Sequence, residues 1–144
     1  MSIEGEYEPS PSDWVRKQMD DILAAGDTSA ASIKGMAVVV LTMRAKTPGK
    51  VRKVPLMRVE HEGSYAAFAS LGGAPKNPQW YYNVTRDPEI DLMDGTENIP
   101  MRARQLEGDE RRLWWDRGVA AYPPYEEYQT KTTREIPVFI LEPR

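Results

Sequence analysis

No cysteine occurs anywhere in the chain. That excludes disulfides, thiolate nucleophiles and thiolate metal ligands together, and it suits a reducing compartment. Histidine is nearly absent: His61 is the one copy, set among Glu60, Glu62 and Gly63. A histidine-rich metal site is therefore excluded. A Ser-His-Asp triad would have to run through His61, and no Gly-x-Ser-x-Gly elbow is present. The neighbours of His61 read as a strand end entering a turn, a solvated position. Long apolar runs are missing too, since none approaches the ~20 residues of a membrane span. The first 13 residues are acidic and lack the basic-then-apolar layout of a signal peptide, so a cytoplasmic location is expected.

What remains is 144 residues, 40% hydrophobic and 28% charged, with a net charge of −3. That is enough for one core, and a single domain over residues 1–144 is expected. The charge is uneven. From Arg44 to Arg58 stand six basic residues and no acid: Arg44, Lys46, Lys50, Arg52, Lys53 and Arg58. Such a loop in an acidic protein steers an anionic ligand, or simply keeps a hairpin solvated. Nucleic acid is not the expected partner, because the overall charge is negative and no nucleic-acid motif is present.

Residues 1–11, with Pro9 and Pro11, read as a flexible arm. Ser12 caps a helix over residues 12–25, where Val15, Met19, Ile22 and Leu23 follow one buried stripe and Gly26 ends it. The polar face mixes Arg16, Lys17, Asp20 and Asp21. That favours packing in a soluble protein and leaves contact with a membrane surface open. Residues 27–35 read as a loop and 36–43 as a strand whose run Ala37-Val38-Val39-Val40-Leu41 expects cover on both faces. Further strands are expected at 53–60, 64–70, 89–93, 98–105 and 136–141. Pro55 puts its strand near an edge or bulge, and Asp94-Gly95 turns a hairpin. Asp109 caps a helix to Tyr122, with Leu113, Trp114 and Val119 as packing residues, and Pro123-Pro124 stops it. Tyr125 and Tyr128, spaced i, i+3, share a face if a turn of helix forms. The pattern is mainly β with helices (α+β): about six strands closing into a small barrel, with helices outside.

The most informative stretch is Ser70-Leu71-Gly72-Gly73-Ala74-Pro75-Lys76-Asn77-Pro78-Gln79-Trp80-Tyr81-Tyr82-Asn83. It reads as a strand end, a Gly-Gly turn and a helix start, with Asn77 as N-cap and Pro78 in the first helical position. Glycines allow close approach of a ligand, a helix start offers N–H groups to an anion, and Trp80 and Tyr81 add flat apolar surface. A planar ligand with an anionic tail fits this description; a plain connection also fits it. The small residues of the strand at 64–70 leave room above the sheet for such a ring.

This stretch resembles the Gly-Gly-x-x-x-x-Pro-x-Trp-Tyr-x-Asn signature of the deazaflavin-dependent nitroreductase family. These are actinobacterial flavin/deazaflavin oxidoreductases of the split β-barrel, FMN-binding-like type, and they use coenzyme F420. The likeness extends through Arg52-Lys53-Val54-Pro55-Leu56, through Ala121-Tyr122-Pro123-Pro124-Tyr125-Glu126-Glu127-Tyr128-Gln129, and to Ile136-Pro137-Val138-Phe139-Ile140. It covers roughly residues 36–144. It implies a hydride transfer from reduced F420 to an electron-poor conjugated acceptor: an activated enone, a quinone or a nitroaromatic.

F420 carries a flat deazaflavin ring, a ribityl phosphate, a lactyl link and a polyglutamate tail. The resemblance implies that Arg44, Lys46, Arg52 and Lys53 meet the phosphate and tail. Ser70, Gly72, Gly73, Lys76 and Asn77 are implied to hold phosphate and ring edge, with Trp80 beside the ring and Pro55 also among the cofactor-binding residues. Ser70, Tyr122, Tyr125 and Tyr128 are then the candidates to polarise the acceptor; tyrosines beside a Pro-Pro turn also serve simply to cover a core. The chain departs from the family pattern at Leu71, where many members carry lysine, and in the run Arg44-Ala45-Lys46-Thr47-Pro48-Gly49. An FMN-dependent reductase on the same barrel, a non-catalytic carrier of F420 or a fatty acid, and an interaction module with a basic face stay open as alternatives. A monomer or weak homodimer is expected.

Overall fold

A computed structural model describes residues 3–33 and 35–144. Eight strands form one sheet: β1 Glu6–Tyr7, β2 Val38–Arg44, β3 Lys50–Met57, β4 Glu60–His61, β5 Ser64–Phe68, β6 Glu89–Asp94, β7 Glu97–Gln105 and β8 Val138–Pro143. Four helices surround it: α1 Asp13–Ala25, α2 Gln79–Arg86, α3 Gly108–Ala121 and α4 Pro124–Thr130. The strand order is β1-β3-β2-β6-β7-β8-β5-β4. All pairs are antiparallel except β1 with β3. The chain runs from β3 almost directly into β4, so the sheet curls back on itself, and the β4–β5 pairing extends to Val59, whose carbonyl accepts from the Ala66 N–H at 2.9 Å. The Tyr65 hydroxyl adds a clasp across the barrel, donating to Asp94 at 2.6 Å. Burial, then that carboxylate, push the phenol up to about 12.

The barrel interior is filled by Leu41, Met43, Ile90, Leu92, Met101 and Leu141, all essentially inaccessible. Each contributes about 1.5–3 kcal/mol through burial of apolar surface. The unbroken apolar run of β2 has both faces covered, as expected: Val39 and Leu41 face the interior, while Val38 and Val40 pack under α1 against Met19 and Ile22. Ser12 caps α1 through a bond from the Val15 N–H, and Gly26 ends it with φ +66°.

Several expectations are corrected. Eight strands form rather than six, because β1 and β4 are two-residue pairings without an alternating hydrophobic pattern to announce them. The arm expected to be free is seated: its strand pairs with Lys50 and Val51, Ile3 is buried, and the Ile3 N–H donates to buried Asp91 at 2.8 Å. Leu23 and Leu113 are exposed, on helix faces that turn to solvent. The first helical residue after the glycine turn is Gln79, and Pro78 takes the capping position without a side-chain bond. Asn77 lies outside that helix. Likewise α3 begins at Gly108, and Glu107 rather than Asp109 precedes it.

Candidate functional site

A cavity of about 280 Å³ opens at one end of the barrel, between β3, β5, the 3₁₀ turn Leu71–Gly73, α1 and α4. Its walls are apolar: Val54 and Leu56 of β3, Phe68 of β5, Pro78 before α2, Trp80 of α2, and Trp14 of α1. The room expected over β5 is closed by α3. Gly118 lies so close to Phe68 that an added Cβ would stand 2.0 Å from Phe68 Cζ. The open space has moved to the barrel end, where the chain leaves β5 for the glycine turn.

Three tyrosines form one wall. The Tyr125 ring stacks on Phe68 with centroids 4.4 Å apart and planes 11° from parallel. The Tyr122 and Tyr128 hydroxyls share a hydrogen bond of 2.8 Å. Burial raises the pKa of Tyr122, and the neighbouring Tyr128 raises it further. Tyr125 is raised too, first by burial and then by the other two phenols. Both are therefore neutral O–H donors at physiological pH. The Tyr125 hydroxyl has no hydrogen-bond partner among the described residues, although the ring is buried. The hydroxyl of Ser70, also buried and on the cavity wall, is likewise unpaired among them.

The turn opposite is unusual in its backbone. Leu71, Gly72 and Gly73 have φ of +46°, +64° and +86°. A leucine in the left-handed region costs about 1 kcal/mol. Gly73 has no substitute, since a Cβ would meet the Tyr128 carbonyl oxygen at 2.8 Å. The turn is thus packed directly on α4, which carries two of the tyrosines.

Pro55, Ser70, Gly72, Trp80, Tyr122, Tyr125 and Tyr128 all line the cavity, while Gly73 is buried behind the turn. Trp80 is largely a core residue, edge-on to Phe139 at 5.8 Å. Lys76 is exposed and stands outside the wall. Asn77 accepts a bond from Arg134 at 2.8 Å. The expected tail cations are spread along β3 and its hairpin. Arg52 shares a strand face with Val54 and Leu56, about 7 Å beyond Val54. Its guanidinium donates to the Glu8 carboxylate at 2.9 Å and to the Pro9 carbonyl at 2.7 Å. Lys50 pairs with Glu6 at 2.6 Å. Lys53 points to the other face and donates to Thr42 Oγ1 at 3.0 Å; burial lowers its pKa, partly offset by Asp91. Arg44 and Lys46 line a second cavity of about 380 Å³ at the far end of the hairpin, where Arg44 pairs with Asp87 at 2.9 Å.

Sequence reasoning did not single out Arg134, Gln129, Trp14 or Phe68 as site residues. Arg134 reaches back across more than 55 residues to the glycine turn, and no local pattern announces such a contact. Trp14 had a faint signal, a large aromatic at the start of an amphipathic helix.

The donor set suits a deazaflavin. It offers an apolar slot for a flat ring, a glycine turn open to the cavity, two hydroxyls at its edge without a partner among the described residues, and, farther along one face of β3, Arg52 held by Glu8. Fold and slot together define a split β-barrel of the FMN-binding-like type, built to hold a flat redox cofactor. The chain belongs to the F420H(2)-dependent quinone reductase family, whose profile matches residues 14–143. Rv3178 of Mycobacterium tuberculosis, whose name places it provisionally in that reductase class, is 35% identical over 111 residues. That match spans 77% of this chain and 93% of Rv3178. A solved F420-H2 dependent reductase, FDR-A, is 55% identical, with a TM-score of 0.70 over 73% of this chain and 93% of its own. A second solved structure, described as a domain-swapped dimer, is 51% identical, with a TM-score of 0.74 over 92% of this chain and 100% of its own.

Proposed function

We propose that this chain is an F420H2-dependent reductase of electron-poor conjugated acceptors, quinones foremost and activated enones or nitroaromatics by the same chemistry. The observation that carries this reading is the pairing, across one apolar slot, of a glycine turn with two hydroxyls that have no partner among the described residues. When bound, reduced F420 supplies a hydride from its deazaflavin ring. The residues of the chain do the rest. Val54, Leu56, Pro78 and Trp80 form the slot and exclude water. Ser70 and Tyr125 donate hydrogen bonds to the oxygen on which charge builds as the acceptor is reduced. Tyr122 and Tyr128, bonded to each other, fix the wall that presents Tyr125. Lys53 and Lys76 add positive potential near the slot rather than contacts within it, while Arg44, held by Asp87 and Glu89, and Lys46 stand at the far end of the hairpin.

Arg52 is the cation best placed for the cofactor's tail, and Glu8 now holds it. An anionic tail reaching Arg52 must displace that carboxylate. Glu8→Gln is therefore expected to tighten F420 binding about threefold, and Arg52→Ala to weaken it about tenfold, the range of a partly exposed charge pair. Isothermal titration checks both. Equal affinity in all three proteins would remove Arg52 from the tail site.

The primary test is a tryptophan-fluorescence titration with F420 and FMN in parallel, since Trp80 and Trp14 both border the slot. Quenching by F420 at low micromolar levels, with reduced F420 then oxidised by menadione, is the expected result. Quenching by FMN alone would move the protein to the flavin branch. F420 binding without turnover by any acceptor would make it a carrier. No described helix is long and apolar enough to cross a membrane. We read the enzyme as cytoplasmic and as a monomer or weak homodimer, the latter in keeping with the domain-swapped relative.

A further inference from the structure

Arg134 lies in the segment between α4 and β8, and its guanidinium points at the glycine turn rather than at solvent. It donates four hydrogen bonds there: to the carbonyls of Ala69 at 3.1 Å, Ser70 at 2.9 Å and Ala74 at 3.0 Å, and to Asn77 Oδ1 at 2.8 Å. These span both ends of the turn, before Leu71 and after Gly73. A flat, five-donor fork suits this task, and a lysine could satisfy only part of it. Arg134 makes no ion pair among the described residues. Its charge is thus spent on carbonyl oxygens and is not cancelled by a carboxylate.

Arg134 is itself held in place. Gln129 of α4 donates to the Arg134 carbonyl at 2.8 Å and accepts from the Ile136 N–H at 3.0 Å. Arg111 of α3 donates to the Ile136 carbonyl at 2.6 Å. The turn needs such a hold, because three successive left-handed residues, one of them leucine, do not keep that conformation unaided.

We propose that Arg134 is the positioning residue of the cofactor turn. It fixes residues 70–77 from behind and supplies the uncompensated positive charge that draws the cofactor's phosphate to that turn. This rests on the F420 reading of the slot. The fork orients the Ser70 and Leu71–Gly73 backbone toward the cavity, and the charge acts through about one peptide layer of low-dielectric protein. The residue touches neither ring nor acceptor, so its loss acts on cofactor binding rather than on the chemical step.

The experiment compares the native chain with Arg134→Gln and Arg134→Lys in two measurements. Hydrogen exchange in the ligand-free protein reads the hold: the Gly73 and Ala74 amides, which donate to Ser70 and Leu71, should lose protection in Arg134→Gln while the β2 amides keep theirs. Binding reads the charge, using F420 and its precursor deazaflavin, which has the ring and ribityl chain but no phosphate or tail. Arg134→Gln should weaken F420 binding about thirtyfold, the scale of lost hydrogen bonds to a charged group, with less than about a threefold change for the phosphate-free ring. Arg134→Lys should fall between, with KM for F420 raised and kcat kept. Unchanged turn protection with unchanged F420 affinity overturns the proposal. Parallel loss of both ligands overturns the phosphate role and leaves a purely structural one. If the native chain binds no F420, the functional reading fails, and exchange still decides whether Arg134 holds the turn.

Discussion

Tyr125→Phe is expected to lower kcat about a hundredfold with quinone acceptors while leaving F420 affinity and folding intact. The fold should survive because the ring, not the hydroxyl, makes the stacking contact with Phe68. The hydroxyl has no partner among the described residues, so its removal strands no protein group. What is lost is a donor on the wall of an apolar slot, where one such bond to developing negative charge is worth about 10²–10³ in rate. Stopped-flow oxidation of reduced F420 under single-turnover conditions measures this step apart from product release. Unaltered turnover with every acceptor would remove Tyr125 from the mechanism.

The pH profile offers a companion reading. The folded pKa of Tyr125 lies above that of an ordinary phenol, mainly through burial. The donor therefore stays protonated throughout the range in which an exposed tyrosine would ionise, and the rate should show no phenol ionisation below about pH 10. The same shift makes the protonated form the one that folding favours. Its stabilisation is fully present below the unfolded value of about 10 and fades as pH rises beyond it.

Gly118→Ala is expected to be strongly destabilising for a change of a single methyl group. The new Cβ would stand 2.0 Å from Phe68 Cζ and within 2.7 Å of both Cε atoms. The ring has little freedom to yield, being stacked on Tyr125 and flanked by Trp115 at 5.5 Å. Overpacking of this kind costs about 3 kcal/mol, at the upper end of the usual range. For a chain of this length that lowers Tm by roughly 10 °C. Calorimetry of Gly118→Ala, of Phe68→Leu and of the double variant checks the cause. The double variant should recover part of the loss, because the two sites are in contact and couple. A Tm within about 2 °C of the native chain would mean that α3 shifts outward freely.

These two sites show what the chain makes legible and what it conceals. The glycine turn, the tyrosines after the Pro-Pro stop and the strand with Pro55 all announce themselves locally, through residues whose backbone or side-chain chemistry is unusual. Each lines the cavity. The apolar run of β2 and the caps of α1 follow from patterns within a dozen residues. The cationic stretch is legible as a composition, but not as an arrangement. Along β3 alternate residues point to opposite faces, which sends Lys53 to Thr42 and keeps Arg52 beside Val54. The arm, with no apolar pattern of its own, gave no sign that its carboxylates would sit on Lys50 and Arg52.

By itself the sequence determined the chemical class of the protein. Without cysteine, and with one solvated histidine, it ruled out thiolate, disulfide and histidine-metal chemistry. Its glycine signature and aromatic set carried the family resemblance, and it was that resemblance that implied the barrel and the kind of cofactor. The tertiary structure alone decided which groups converge. Phe68 and Gly118 meet across fifty residues, and Arg134 returns across more than fifty-five to grip the turn. Contacts of that span are set by how the sheet curls and the helices dock on it. No local propensity encodes them, because the free energy that selects them belongs to the packed whole.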